Sequence, residues 1–223
     1  MPDRHLPVRP NLDQLKRQAK ELLSEFREGN PDAAVDLAKY HPKKISPADA
    51  KLADAQLVLA RSYGVASWPR LVRACNLVDA IWRDDREMIR EMVVKHPELI
   101  EEMARGTEKC NWGPPMSYAA NLGRAEIISL LNKLGAKDHL HALGRAALQG
   151  QIDTARSLHK MMGRPRMDSD ALNGSGYTLN VSGTKLMLEL GAKVIDEQGK
   201  SLAPVAVVLE TDSRKPSAKH QIL

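Results

Sequence analysis

The strongest constraint on the fold is a short pattern that occurs twice, 27 residues apart. Ala120 and Gly123 in the first copy correspond to Ala147 and Gly150 in the second. Each copy predicts a short helix, a turn at the glycine and a second helix. One such pair of helices cannot bury its apolar side alone. The repetition therefore predicts helix pairs that stack against one another.

Weaker copies extend the pattern in both directions. Residues 80–89 match it at an offset of 39, and residues 185–192 echo residues 128–136, which also end in Gly-Ala. The stretch 160–183 is rich in glycine, which predicts a long irregular connection. The spacing of the units therefore predicts an uneven stack.

The composition agrees with helices packed on helices. Hydrophobic residues make up 43% of the chain, but aromatic residues only 4%, with a single Phe. A core short of rings is filled by Ala, Leu, Ile, Val and Met. Such a core disfavours a β-sandwich, whose strands prefer β-branched and aromatic residues. We therefore expect an all-α protein.

The first 78 residues carry start signals for four helices. Asn11 precedes an apolar stripe, and Asn30 stands before a proline at the first helical position. Ser46-Pro47 and Ser67-Trp68-Pro69 predict the starts of a third and a fourth helix. These signals predict a compact helical unit at the N-terminus.

Residues 116–136 resemble the body of an ankyrin repeat, and Asp196–Ser201 is similar to the Asp…Gly-x-Thr segment that opens one. Residues 6–23, 52–61 and 66–69 resemble the helical leader of bacterial ankyrin-repeat proteins. The resemblance implies an N-terminal helical cap, residues 1–78, and a degenerate ankyrin-repeat solenoid with short turn fingers, residues 79–223. It implies four or five repeats. Either the last repeat is incomplete or the chain is cut short at Leu223.

The chain departs from the family at the start of the first helix of each repeat. Ankyrin repeats usually have Thr-Pro-Leu-His there, and the side chains of the threonine and histidine tie the turn together. The matching segments here are Pro114–Ser117 and His141–Gly144. We therefore expect both hydrogen-bonding side chains to be lost or displaced.

Charge and cysteine content narrow the class of protein. The net charge is +5, and most of the excess lies in the N-terminal third. A nucleic-acid-binding protein usually has a denser basic stripe. Two cysteines are too few for a disulfide framework and indicate a reducing compartment. The N-terminus lacks the apolar core of a signal peptide, and no stretch approaches the roughly 20 apolar residues of a membrane helix. We expect a cytoplasmic protein with no membrane partner.

Four sequence features invite a chemical interpretation, but none meets the requirements of a site. Gly199-Lys200-Ser201 lacks the upstream glycine of a phosphate-binding loop. His139 and His141 have no further ligands at metal-binding spacing. Asp84 or Asp85 is better explained as a helix N-cap. Cys110 falls in a predicted loop, but no base can be assigned to it. We expect no metal, no cofactor and no catalytic residue.

The function that these features favour is non-catalytic binding of another protein through the concave face of the stack. Trp, Tyr and Arg are common anchors of interfaces. The predicted partner-binding residues are Trp112, Tyr118, Asn121, His139, Arg145 and Gln149.

Two alternatives remain open from the sequence. The first is a basic helical module that binds nucleic acid, although we do not expect a nucleic-acid partner. Its candidate residues are Arg9, Lys16, Arg17, Lys20, Lys43 and Lys44. The second alternative is an enzyme that uses Cys110. Salt dependence separates nucleic-acid binding from an apolar interface, because phosphate contacts weaken steeply as salt rises.

Overall fold

In a computed structural model, the described residues are 4–103, 112–168 and 170–194, with the side chain of Asn173 left out. Across these ranges the chain forms eleven α-helices, one 3₁₀ helix and no strand. The predicted all-α class is therefore confirmed. The chain divides into two compact units, Met1–Asn111 and Trp112–Leu223.

In residues 4–103, the described part of the first unit, there are five α-helices and the 3₁₀ helix. They are α1 (Leu12–Arg27), α2 (Pro31–Tyr40), α3 (Leu52–Ser62), α4 (Trp68–Arg83), α5 (Arg86–Lys95) and the 3₁₀ helix Pro97–Glu101. Helix α1 packs against α2, α3 and α4, and α4 packs against α5. The predicted limit of the leader, between residues 78 and 79, lies inside α4. The two compact units thus have different bounds from the predicted leader and repeat array. The division of the chain into a leader and a repeat array at residue 78 stays a prediction.

Side-chain caps explain where several helices begin. The side chain of Asn11 accepts a hydrogen bond from the backbone N–H of Gln14 at 3.0 Å, and that of Asn30 accepts one from Asp32 at 2.8 Å. Asp85 caps α5 by accepting from the N–H of Met88 at 3.1 Å. These bonds satisfy amide groups that the first turn of a helix leaves unpaired. The predicted caps at Asn11, Asn30 and Asp85 are therefore confirmed.

The predicted start of α3 at Ser46-Pro47 is wrong. The Ser46 hydroxyl donates to Asp49 Oδ2 at 2.6 Å, and the turn that this bond closes does not continue as a helix. Helix α3 begins instead after Lys51, whose backbone N–H donates to Asp54 Oδ2 at 2.8 Å. A serine that precedes proline starts a turn as readily as it starts a helix.

The core of the first unit is mainly aliphatic. Among the described residues it includes one cluster of buried side chains around Leu59 and Leu71 and another around Phe26 and Leu37. The buried positions of α1 follow the three- and four-residue spacing of its predicted stripe. The scarcity of aromatic residues is thus matched by close packing of leucine, valine and alanine.

The described part of the second unit contains three helix pairs. They are α6 (Pro115–Asn121) with α7 (Ala125–Lys133), α8 (His139–Leu148) with α9 (Ile152–Met161), and α10 (Ala171–Tyr177) with α11 (Val181–Glu189). The middle first helix, α8, packs against both α6 and α10. It also packs against α9 and α11. The first helices therefore form one continuous row.

The same turn joins the two helices of every pair. The N–H of Arg124 donates to the carbonyl oxygen of Ala119 at 3.0 Å, and Gln151 makes the same bond to Ala146 at 2.8 Å. In the third pair the bond runs from Asn180 to Ser175, also at 2.8 Å. Such bonds close a helix end through one residue of positive φ. Gly123 and Gly150 supply that residue in the first two pairs and Leu179, with φ 52°, in the third.

The third pair corrects the predicted irregular connection over 160–183. Helix α9 continues to Met161, α10 occupies Ala171–Tyr177 and α11 begins at Val181. Helix α10 was missed because its sequence, ALNGSGY, contains two glycines, which have low intrinsic helix propensity. Tertiary packing against α8 and α11 offsets that cost.

The α4–α5 turn in the first unit has the same geometry. The N–H of Asp85 donates to the carbonyl oxygen of Ala80 at 2.9 Å, and Asp84 takes the positive φ of 59°. Ala80 precedes Ala119 by 39 residues, which is the offset of the upstream sequence match. The sequence pattern thus follows a local backbone turn that occurs in both units.

Candidate binding surface

Four of the six predicted partner-binding residues lie together where α6 meets α8. The rings of Trp112 and Tyr118 are 4.8 Å apart between centroids, and the Arg145 guanidinium lies 5.7 Å from the Trp112 ring centroid. Arg145 Nε donates to Asn121 Oδ1 at 2.9 Å, and Asn121 Nδ2 donates to the carbonyl oxygen of Ser117 at 2.9 Å. These contacts join the first two helix pairs.

Burial corrects the predicted role of three of these residues. Tyr118, Asn121 and Arg145 are buried, so they cannot serve as an exposed contact surface. Trp112 is half-buried. The buried side chains hold α6 against α8 and place the exposed residues of both helices. Residue type alone indicated an interface, but the interface that these residues form is internal.

The other two predicted residues lie apart from this group. His139, at the first position of α8, is partly exposed, and its Nε2 is 2.7 Å from Asn132 Oδ1 at the end of α7. Gln149 is exposed at the opposite end of α8. Of the six residues, Gln149 is the one that is exposed.

A second polar contact between α6 and α8 was not predicted. The backbone N–H of Ser117 donates to Asp138 Oδ2 at 3.0 Å, and the Ser117 hydroxyl donates to the same oxygen. His141 Nδ1 lies 2.7 Å from the Ser117 hydroxyl oxygen. Since the hydroxyl proton goes to the carboxylate, His141 Nδ1 carries the proton and donates to the oxygen. We call Ser117, Asp138 and His141 the polar junction.

From the sequence we expected the hydrogen-bonding side chains at the start of the first helix to be lost or displaced. The polar junction supplies hydrogen bonds at that position. Ser117 matches the histidine of the ankyrin motif in the sequence resemblance, and its partners come from the next helix pair. The three residue types also occur in hydrolytic relays, in which a histidine takes the proton of an accessible serine. Ser117 is fully buried, and its proton is directed at Asp138. This geometry fits a structural tie.

The pKa of His141 is lowered. Partial burial of the ring is the main cause, the positive charge of Arg145 adds to it, and Asp138 acts in the opposite direction. In the unfolded chain a histidine titrates near pH 6.5. Between that pH and the lower pKa of folded His141, the unfolded state binds a proton that the folded state does not.

We therefore expect the second unit to lose stability as the pH falls below about 6.5. Urea unfolding of the wild type and of His141→Asn, each at pH 7.5 and pH 5.5, measures the effect. Asparagine can still donate a hydrogen bond but does not titrate, so its stability should depend less on pH. An equal pH dependence in both proteins would contradict the assignment.

The solvent-facing side of α8 and α10 carries exposed apolar residues. Leu140 is 58% exposed and Tyr177 is 69% exposed. Leu140, Gly144 and Leu148 follow one another at four-residue spacing, which places them on one face of α8. A Cβ atom at Gly174 of α10 would lie 3.5 Å from the Leu148 side chain. We call Leu140, Gly144, Leu148 and Tyr177 the first-helix surface.

The structure describes some of the residues that could carry chemistry and leaves others outside the described ranges. Cys110 and Gly199-Lys200-Ser201 lie outside the described residues. Over the ranges that the structure describes, no three His, Cys, Asp or Glu side chains are grouped so as to hold a metal ion. Cys75 is buried in the core of the first unit, and burial raises the pKa of its thiol to about 12.

We expect Cys75 to resist thiol reagents in the folded protein. The rise in pKa from 9.0 to about 12 lowers the thiolate fraction roughly a thousandfold. A Cys110→Ser variant leaves Cys75 as the single thiol. Its reaction with a chromogenic disulfide should be negligible in native buffer and complete in concentrated guanidinium chloride. Rapid reaction in native buffer would show that Cys75 is accessible.

Two of the six basic residues of the nucleic-acid alternative are engaged in ion pairs. Arg9 lies 2.7 Å from Asp79 and faces the Trp82 ring at 5.7 Å, and Lys16 lies 3.0 Å from Asp13. The pairs leave less charge for phosphate contacts. Arg17, Lys20, Lys43 and Lys44 are exposed.

No family model matches the chain, and no curated protein matches it. Across the described ranges, none of the helices combines the length and the hydrophobicity that crossing a bilayer requires. The arguments for a function therefore come from the chain itself.

Proposed function

We propose that this protein is a non-catalytic module that binds another protein through the first-helix surface. The observation that carries the proposal is the row of first helices, in which α8 packs between α6 and α10. Stacked helix pairs of this kind build extended binding surfaces. The resemblance of residues 116–136 to an ankyrin repeat supports the same function, in a bacterial cytoplasmic protein.

The exposed apolar residues favour a protein partner. Leu140 and Tyr177 leave apolar area in water on neighbouring first helices, and Tyr is a frequent anchor of interfaces. Gln149 is exposed at the end of α8, which adds a polar group at the same row of helices. The buried contacts of Arg145 and Asn121 fix this surface from within.

The test is capture of partners from a lysate of the source cells, washed at low and at high salt. We expect one protein to remain at high salt and to be lost when Leu140→Glu and Tyr177→Glu are combined. The matched control combines Met161→Glu and Val94→Glu, which charge exposed apolar residues on α9 and α5. Equal capture by the two folded double variants would refute the assignment to the first-helix surface. Nucleic acid that elutes as salt rises would favour the alternative.

A further inference from the structure

A cleft of about 580 Å³ lies beside α2 in the first unit. Its wall is mostly apolar and comes from the end of α1, from α2 and from the loop that follows α2. The apolar side chains used below are Phe26, Ala34, Leu37, Ala38, Ile45 and Pro47. The volume falls within the range of about 300–1,000 Å³ that is common for small-molecule sites, which are also mostly apolar.

Among the described residues, the polar ones that line this α2 cleft are His41, Lys43 and Lys44, and none of the lining residues is acidic. Both lysines are exposed, and neither forms an ion pair with a carboxylate among the described residues. An apolar wall beside unpaired positive charge is complementary to a molecule with an apolar body and an anionic group.

The loop that carries the lysines is held in place by hydrogen bonds. The His41 ring contacts the Lys43 carbonyl oxygen through Nδ1 at 2.5 Å and Asp54 Oδ1 of α3 through Nε2 at 3.2 Å. Arg61 donates to the carbonyl oxygen of Tyr40 at 3.1 Å, and Arg27 donates to that of Ala50 at 2.7 Å. A wall that is already ordered loses little conformational entropy when a ligand binds.

Helix α2 also exposes apolar residues to water, between the charged residues Asp32 and Lys39. Ala34, Val35 and Ala38 are exposed, and Val35 is 52% exposed. The buried side of the helix contributes Ala33 and Leu37 to the core. The core of the first unit therefore covers one side of α2. The other side remains exposed beside the cleft.

We infer that the α2 cleft binds a small amphiphile that consists of a hydrocarbon chain and a carboxylate. The chain would lie against Phe26, Leu37 and Ile45, and the carboxylate would face Lys43 and Lys44. The lining should discriminate against a cationic amphiphile of the same length, because the two lysines would repel its positive head group. This site is separate from the first-helix surface, so the inference does not depend on the proposed function.

Decanoate, used as free monomer, is the probe. We expect its addition to the ¹⁵N-labelled full chain to shift amide signals of residues that line the cleft. Lys43→Glu combined with Lys44→Glu should weaken decanoate binding about tenfold or more, because two attractions become repulsions. The matched control combines Arg17→Glu and Lys20→Glu, which make the same charge change on α1 outside the cleft. The control should bind like the wild type.

A second pair of variants tests the apolar wall. Ala38→Trp fills the cleft and should abolish binding, whereas Val35→Trp adds the same ring on α2 outside the lining and should preserve it. Decylammonium should not bind. Binding of decanoate that is unchanged in Ala38→Trp, or equal binding of decylammonium, would overturn the inference. Binding only to phosphatidylglycerol vesicles, with no response to free decanoate, would overturn it as well.

Discussion

Replacing Gly183 with alanine is expected to destabilise the second unit by about 3 kcal/mol or more. Gly183 lies on the buried side of α11, where that helix meets α8. A Cβ atom there would overlap the carbonyl oxygen of Ala147 and lie 2.9 Å from its carbonyl carbon. Backbone atoms cannot rotate away, so the two helices would have to separate.

A glycine on the helix that faces Gly183 provides the control. Gly144 lies within α8, and a Cβ atom at this position would meet nothing within 4 Å. Gly144→Ala should therefore stabilise the unit by up to about 1 kcal/mol, because alanine favours the helix more than glycine does. Hydrogen exchange of the amides of α8 and α11 separates the two outcomes. Similar exchange in both variants would disprove the close approach at Gly183.

Replacing Arg145 with glutamate is expected to cost about 3 kcal/mol, again in the second unit. The substitution removes the bond from Arg145 Nε to Asn121 Oδ1 and sets a carboxylate against that acceptor. It also removes the guanidinium from the face of Trp112. The position is buried, so water cannot solvate the new charge without opening the contact between α6 and α8.

Arg156→Glu makes the same change of charge at an exposed position. Arg156 lies in α9 and pairs with Glu189 at 2.6 Å, with both side chains about half exposed. An exposed ion pair contributes less than about 1 kcal/mol, so this variant should unfold almost like the wild type. Urea unfolding followed by Trp112 fluorescence, in a background with Trp68→Phe and Trp82→Phe, measures both. Equal midpoints would show that Arg145 is not part of the interior.

Local patterns in the sequence predicted the start of a helix when the capping side chain and the amide that it binds lie close together along the chain. Asn11 and Gln14 are three residues apart, as are Asp85 and Met88. The offsets of 27 and 39 residues also correspond to turns with the same hydrogen bond. These features depend on short-range backbone geometry, which a sequence records directly.

The contacts that decide the candidate surface are not local. Ser117 reaches Asp138 and His141 from another helix pair, and Arg145 reaches Asn121 across the same boundary. Their residue types suggested an interface, but a single sequence does not show on which side of a helix the next pair will pack. Helix α10 shows a related limit, because packing overrides the low propensity of its glycines.

The position of α8 also bears on the order in which the second unit folds. This helix packs against α6, α9, α10 and α11, all of which are its neighbours in the chain or belong to adjacent pairs. Contacts between segments close in sequence require little loop closure, which favours rapid folding. The α8–α9 hairpin is thus suited to act as the nucleus, with the flanking pairs condensing onto it from either side. Stabilising this hairpin would then raise the folding rate, whereas stabilising α11 would mainly slow unfolding.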